Sequence, residues 1–218
     1  VTNEQRQQWA YQQQMRAAIQ AAQHEQQAQR VATARQAAQV QQMIDEMPRR
    51  QYAIIVAVDI QGGFAKAGEI PWHYPADFRW FKGRTKNQVV VMGRVTYEDI
   101  VKRRGEFTGN VLSDRKCFVV SNTLTELPHA TVVKSVGDVE HHLDNTDEDK
   151  TIFLIGGERV FAEGLSIADT AYVTVVNTEH SCDRFFPTDF LMEHFDSDKV
   201  YKHDGSPELR FTIWKRKI

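Results

Sequence analysis

VVVMGRVTYEDI, residues 89–100, changes character at its fifth residue. Val89 to Met92 form a continuous apolar run of the kind that makes a strand buried on both faces. Gly93 permits a tight turn, Arg94 supplies a cation, and Thr96 stands as the cap residue of a helix that follows. Five other apolar runs repeat this texture: AIIVAVD (53–59), KCFVVS (116–121), ATVVK (130–134), TIFLIGG (151–157) and AYVTVV (171–176). Helix-like stretches fall between them at 76–85, 96–103 and 158–163, and late aromatic and β-branched stretches at 194–203 and 209–215 read as antiparallel strands closing one edge. The expectation is an α/β domain of three layers, a mixed and mainly parallel sheet flanked by helices.

The chain has 218 residues, 41% hydrophobic and 26% charged, enough for one core plus an appendage. A formal net charge of −2 gives no basic field for nucleic acid or anionic lipid. Two isolated cysteines, Cys117 and Cys182, argue against a disulfide-stapled secreted fold and against a Cys-based zinc site. No membrane span and no secretory leader is read, so the expected location is cytoplasmic.

The averages conceal a boundary. All 12 glycines and all 6 prolines lie after residue 47, whereas residues 1–47 hold 15 Gln and 10 Ala. That composition favours helix, with Thr2 and Gln5 as a capping box and Pro48 as a stop. Residues 1–48 are expected to be a helical extension and 49–218 the α/β domain. Tyr11, Met15, Ala18 and Ala22 make one apolar stripe, and Ala37, Val40, Ile44 and Met47 another. Three readings stay open: coiled-coil self-association or docking on a protein partner, packing back on its own domain, or a partly disordered Gln-rich tail.

Ligands of parallel sheets gather beyond the carboxyl ends of the strands. One end carries Gly93, Arg94 and Thr96, an anion site built from free helix N–H groups and a guanidinium; the plainer reading is a turn glycine and a solvated arginine. Another carries Gly156, Gly157, Glu158, Arg159 and Val160, without the G-x-G-x-x-G fingerprint. Ser121 with Asn122, and Lys134 with Ser135, end two more. Together they point to a phosphate-bearing cofactor.

The remaining end holds IPWHYPADFRWFK (70–82). Asp77 lies three residues before Trp80 and four before Phe81, so a carboxylate shares the apolar stripe of its helix. It reads either as a solvent-exposed first-turn Asp or as a semi-buried acid pairing with a donor-rich heterocycle. Gly62 to Gly68 form a glycine-punctuated loop able to act as a lid. His141 and His142 beside an acidic loop read as a solvated turn, and Cys117 as an inert core thiol.

With these residues in place the sequence resembles the dihydrofolate reductases over 52–218. The carriers are AVD (57–59), GEIPW (68–72), PADFRWFK (75–82), VVVMGRVTYEDI (89–100), RKCFVVSN (115–122), VVKS (132–135), LIGGERVF (154–161) and FFP (185–187). The resemblance implies NADPH-dependent reduction of dihydrofolate, with antifolates as further ligands. It implies that Asp77 bonds the pterin N3 and 2-amino group and promotes protonation at N5, that Trp72 holds a water there, and that Thr174 bonds the same carboxylate. Ile55, Ile70, Phe78, Phe81, Ile100, Ile155 and Phe161 would line the folate pocket, and Arg115 would grip the substrate α-carboxylate. Gly93, Arg94 and Thr96 would meet the cofactor phosphates, with Arg94, Asn122 and Lys134 around the 2′-phosphate. Ala57, Gly63, Ser121, Gly156, Gly157, Glu158, Arg159 and Val160 would complete the cofactor site, with a cis bond between the two glycines. Two features depart from the family pattern: VKRRGEFTGNVLSD (101–114) is longer than the compact bacterial version, and residues 1–48 have no counterpart in the common single-domain enzyme.

Overall fold

The computed structural model describes residues 15, 24, 26–27, 29–39, 49–105, 108–203 and 205–217. The chain divides into two compact units, Val1–Arg49 and Arg50–Ile218. In the first, residues 29–39 form helix α1, and Met15, His24, Gln26 and Gln27 are also helical. Thr2, Gln5, Pro48 and most of both apolar stripes lie outside the described residues; Met15 and Ala37 are exposed.

The second unit is built on an eight-stranded sheet. Its strands are β1 (Tyr52–Asp59), β3 (Val89–Gly93), β4 (Lys116–Val120), β5 (Thr131–Val133), β6 (Ile152–Leu154), β7 (Thr170–Val176), β9 (Phe195–His203) and β10 (Ser206–Arg216), and β2 (Gly63–Ala65) pairs with β8 (Arg184–Phe185) in a separate ribbon. The order across the sheet is β5-β4-β3-β6-β1-β7-β10-β9. Every pairing from β5 to β7 is parallel, and β10 is antiparallel to both β7 and β9. The late aromatic stretches therefore close one edge, as their pattern predicts.

Helices α2 (Pro75–Thr85), α3 (Arg94–Arg104), α4 (Glu158–Ile167) and α5 (Thr188–His194) complete the unit, with two short 3-10 turns at Gly137–His142 and Asn145–Asp147. Alternation along β1 explains the layers. Ile54, Val56 and Val58 join Val160, Phe161 and Leu165 of α4 on one face. Ala53 and Ile55 face the other way, toward Trp80 and Phe81 of α2 and Tyr97 and Ile100 of α3. Both faces of the central strands are buried, which is why they read as continuous apolar runs. Helix α4 approaches very closely at Gly164, where a Cβ would collide with Leu154 Cδ1 and lie 3.6 Å from Ile54 Cδ1.

Several boundaries differ from the sequence pattern. The run TIFLIGG pairs over Ile152–Leu154 alone, because Gly156 turns the chain with φ +113° and a cis bond joins it to Gly157. Helix α4 runs on to Ile167, and the α5 helix and the β2–β8 ribbon carry no periodic signal long enough to announce them.

Candidate active site

The parallel strands line up their carboxyl ends in the order β5, β4, β3, β6, β1, so Lys134, Ser121–Asn122, Gly93–Arg94 and Gly156–Gly157 form a row along one edge of the sheet. Opposite the glycines of that row opens a cleft of about 850 Å3. Its walls come from β1, the lid, α2, α3 and the Gly156–Phe161 segment.

The cleft has two chemically distinct parts. In one, α3 and α4 present their amino ends with no side-chain cap on Gly93 or Gly157. The two turns are tied together: Gly93 N–H donates to the Gly156 carbonyl at 2.6 Å. A Cβ added to Gly93 would stand 3.4 Å from the Gly157 nitrogen, and one added to Gly157 would stand 3.7 Å from Thr96 Oγ1. Uncapped N–H groups, helix dipoles and backbone with no side chain in front of it make a surface that accepts phosphate oxygens. Arg94 lines this part with its Nη1 paired to Glu98 at 2.6 Å, and Arg159 Nε pairs with Glu163 at 2.7 Å.

The other part is apolar with one acid in it. Ile55, Ile70, Phe78, Phe81, Ile100, Ile155 and Phe161 all line it, together with Leu112 and Val56. Asp77 projects among them from the first turn of α2, whose start is set by Pro75 at its first position. Burial in this apolar wall raises the Asp77 carboxyl above the ordinary carboxylate range, and the Thr174 hydroxyl beside it opposes part of the rise. Thr174 is buried on β7 directly across from Ala57 of β1. The arrangement is a half-buried acid at the closed end of an apolar slot, a site for hydrogen-bond donors of a flat heterocycle.

Other sequence candidates stand back from the cleft wall. Trp72 is buried, tilted against His180 with ring centroids 4.9 Å apart, and its Nε1 has no protein partner among the described residues. Arg115 is only 7% exposed: Nε donates to Thr85 Oγ1 at 2.8 Å, Nη1 to the Ser113 carbonyl at 2.6 Å and Nη2 to the Lys82 carbonyl at 3.4 Å. Its guanidinium lies 5.6 Å from the centre of the Phe81 ring, and Phe81 lines the cleft while Arg115 does not. Ser121 Oγ accepts from Leu124 N at 3.1 Å and Lys134 Nζ donates to the Leu124 carbonyl at 3.0 Å; with the exposed Asn122 they sit farther along the same sheet edge. Gly63 lies at the root of the lid, where a Cβ would overlap the Cys182 side chain.

Sequence reasoning passed over the residues that hold the lid. Asp59, 2% exposed, accepts from Gln61 N at 2.9 Å, Gly63 N at 2.8 Å and His180 N at 3.1 Å. Those backbone bonds hold its carboxyl below the usual range against the opposing effect of burial. Asp183 accepts from Ala67 N at 2.9 Å and its own N–H donates to the Ala65 carbonyl, fastening the lid from the other side. The acid at the end of AVD was the available signal; nothing local marks Asp183. Cys117 is buried and Cys182 half-buried; burial and the Asp59 carboxylate push the Cys182 thiol up to about 11, so neither is a ready nucleophile. No group of metal-ligating side chains occurs among the described residues.

The dihydrofolate reductase family model matches residues 51–216. The chain belongs to the dihydrofolate reductase family. It is 32% identical over 169 residues to the dihydrofolate reductase of Haemophilus influenzae, covering 76% of this chain and 99% of that one. With the dihydrofolate reductase of Bacillus subtilis it shares 34% identity over 169 residues, 76% of this chain and 94% of the relative. Among solved structures, a dihydrofolate reductase from Enterococcus faecalis complexed with NADP(H) and RAB-propyl superposes with a TM-score of 0.64 at 25% identity, covering 77% of this chain and 97% of that chain. The enzyme is thus an oxidoreductase acting on dihydrofolate with NADPH as cofactor. The glycine-lined, uncapped helix starts beside an apolar slot fit such a cofactor, whose phosphates need N–H donors and whose nicotinamide needs a dry wall. No helix among the described residues is long and apolar enough to cross a membrane.

Proposed function

We propose that residues 49–218 reduce 7,8-dihydrofolate to tetrahydrofolate with Asp77 as the group that binds the pterin and promotes its protonation. The observation that carries this reading is the raised Asp77 carboxyl with Thr174 beside it at the closed end of an apolar slot. A carboxylate there accepts from the pterin N3 and 2-amino groups, and its raised pKa keeps a proton available near N5 at a higher pH than a solvated acid would. The unpartnered Trp72 Nε1 is a donor suited to holding a water at the same end. Ile55, Ile70, Phe78, Phe81, Ile100, Ile155 and Phe161 exclude solvent and hold the pterin and benzoyl rings flat between two walls. Arg115, held by Thr85, Ser113 and Lys82, is the group we assign to the substrate α-carboxylate, which it meets once the cleft opens past Phe81.

On the other side Gly93, Thr96, Gly156, Gly157, Glu158, Arg159 and Val160 bind the cofactor pyrophosphate, and Ala57 and Gly63 border the nicotinamide. Arg94, Ser121, Asn122 and Lys134 extend the site toward the 2′-phosphate. When bound, NADPH supplies the hydride; the chain aligns the two rings and keeps water out. Residues 1–48 are assigned no part in this chemistry and serve as a segment for association with another chain. The test of the catalytic reading is the loss of NADPH absorbance on adding dihydrofolate, blocked by methotrexate. NADPH oxidation with no dependence on dihydrofolate would refute it.

A further inference from the structure

Trp72 Nε1 and His180 Nε2 are both buried, and neither has a protein partner among the described residues. They belong to neighbouring rings, tilted by 52° with centroids 4.9 Å apart. Trp72 shares a buried cluster with Ala76, Val176, Leu209 and Phe211, whose side chains offer the indole N–H no acceptor. Ala76 immediately precedes Asp77. Val176 lies two residues beyond Thr174 on β7 and so points to the same face of the sheet. The indole is thereby packed beside the neighbours of both Asp77 and Thr174.

The place of His180 is fixed through its backbone. Its N–H donates to Asp59 Oδ2 at 3.1 Å, while Asp59 Oδ1 accepts from Gln61 N at 2.9 Å and Gly63 N at 2.8 Å. One carboxylate thus anchors both the root of the lid and the residue whose ring meets Trp72 just beyond the lid. An apolar ring would fill that contact without burying a nitrogen. A buried polar atom left unbonded costs stability, so a nitrogen at this position points to a bond made with something other than protein.

We propose that His180 is a positioning residue for protonation of the substrate: its Nε2 and Trp72 Nε1 hold the same water at the Asp77 end of the slot. The inference rests on the reading of Trp72 as donor to a water there and adds the acceptor. An indole N–H only donates, so the water accepts from Trp72; the neutral imidazole Nε2 then accepts one hydrogen of that water. A buried water is held by two to four polar partners, and Trp72 alone supplies one. With two bonds fixed, the water keeps one hydrogen and one lone pair for the heterocycle and the Asp77 carboxyl. It passes a proton to N5 and regains one from solvent, and His180 keeps its own protonation state throughout.

The test is a double-mutant cycle on kcat/KM for dihydrofolate in the full chain, followed from neutral pH upward. His180→Phe keeps a ring against Trp72 and removes only the nitrogens. It is expected to lower kcat/KM at least ~5-fold, the scale of one hydrogen bond, with the loss growing as the pH rises and bulk protons become scarce. NADPH affinity should stay unchanged in a fluorescence titration. His180→Gln, whose amide oxygen still accepts, is expected to keep part of the lost activity. Added to Trp72→Phe, His180→Phe should cost little more, because either change releases the same water. Where His180→Phe does not fold, His180→Leu takes its place. An unchanged kcat/KM, a loss equal at every pH, or losses that add in the double variant would overturn the role of His180. If Trp72→Phe alone leaves kcat/KM unchanged, the reading of Trp72 itself fails, and this inference with it.

Discussion

Replacing Asp77 by Asn keeps the side chain's volume and one acceptor oxygen but removes the charge. The carboxylate is expected to accept from two donors of the substrate ring, and hydrogen bonds to a charged group are worth roughly 1.5–3 kcal/mol each. Asn turns an N–H toward one of those donors, so one bond is lost and the other weakened. The expected loss is at least ~2 kcal/mol of transition-state stabilisation, or roughly 30-fold in kcat/KM. NADPH binding, measured by fluorescence titration, should persist because Asp77 lies in the apolar part of the cleft, away from the uncapped helix starts.

Stability should move the other way. Burial raises the folded-state pKa of Asp77 above its ordinary 3.8, so the folded protein holds this proton more tightly than the unfolded chain does. The stability linked to that proton is full below the unfolded value and is lost as the pH rises through the raised folded value. Above that raised value the ionised carboxylate is therefore a cost, and the neutral amide removes it. Asp77→Asn is expected to melt no lower than the parent near pH 7 and to lose the alkaline-side decline in both stability and kcat/KM that Asp77 produces. The measurements are steady-state NADPH oxidation across pH and thermal unfolding on the same preparations. An unchanged kcat/KM near neutral pH would refute the assignment, and a lower Tm alongside lost activity would make Asp77 a structural residue instead.

Arg94→Ala is expected to weaken NADPH more than NADH in a calorimetric titration, because the guanidinium faces the proposed 2′-phosphate end despite its pairing with Glu98; equal losses would remove Arg94 from that role. Gly164→Ala puts a methyl against Leu154 Cδ1 in a fully buried contact and should cost about 1–3 kcal/mol, read as a lower urea midpoint at unchanged m-value. Asp147, 1% exposed, is held at a pKa of about 2 by Lys116 at 2.6 Å and Lys150 at 2.7 Å. Its stabilisation is present above the unfolded value of 3.8 and disappears as the pH falls toward 2, so Asp147→Asn should lose about 2 kcal/mol at pH 7 and converge with the parent in acid. Removal of residues 1–48 should lower the number of chains per particle found by light scattering while leaving dihydrofolate turnover in place; an unchanged number counts against association through that segment.

What could be read in the sequence follows from the range of the interactions involved. The parallel strands were legible because burial on both faces imposes a local pattern, and the apolar slot because Phe81 shares a helix face with Asp77 four residues away. The glycine turns were legible for the same reason, since Gly93 and Gly157 each sit directly between a strand or its extension and a helix. The lid fastenings were not, because they join residues far apart in the chain: Asp59 to His180, Ala67 to Asp183, and the two-residue strand β8 to β2. No period of 2 or 3.6 can be read from two residues. Arg103 shows the same limit from another side. Within VKRRGEF it is one of three consecutive basic residues with nothing to distinguish it. Folding gives each a different neighbour, sending Lys102 to Glu69, Arg104 to the Val111 carbonyl, and Arg103 into the wall between slot and lid. The chemistry of a basic side chain is written in the sequence, but which neighbour it meets is set by the 1.5 Å rise and 100° turn that separate neighbours on a helix.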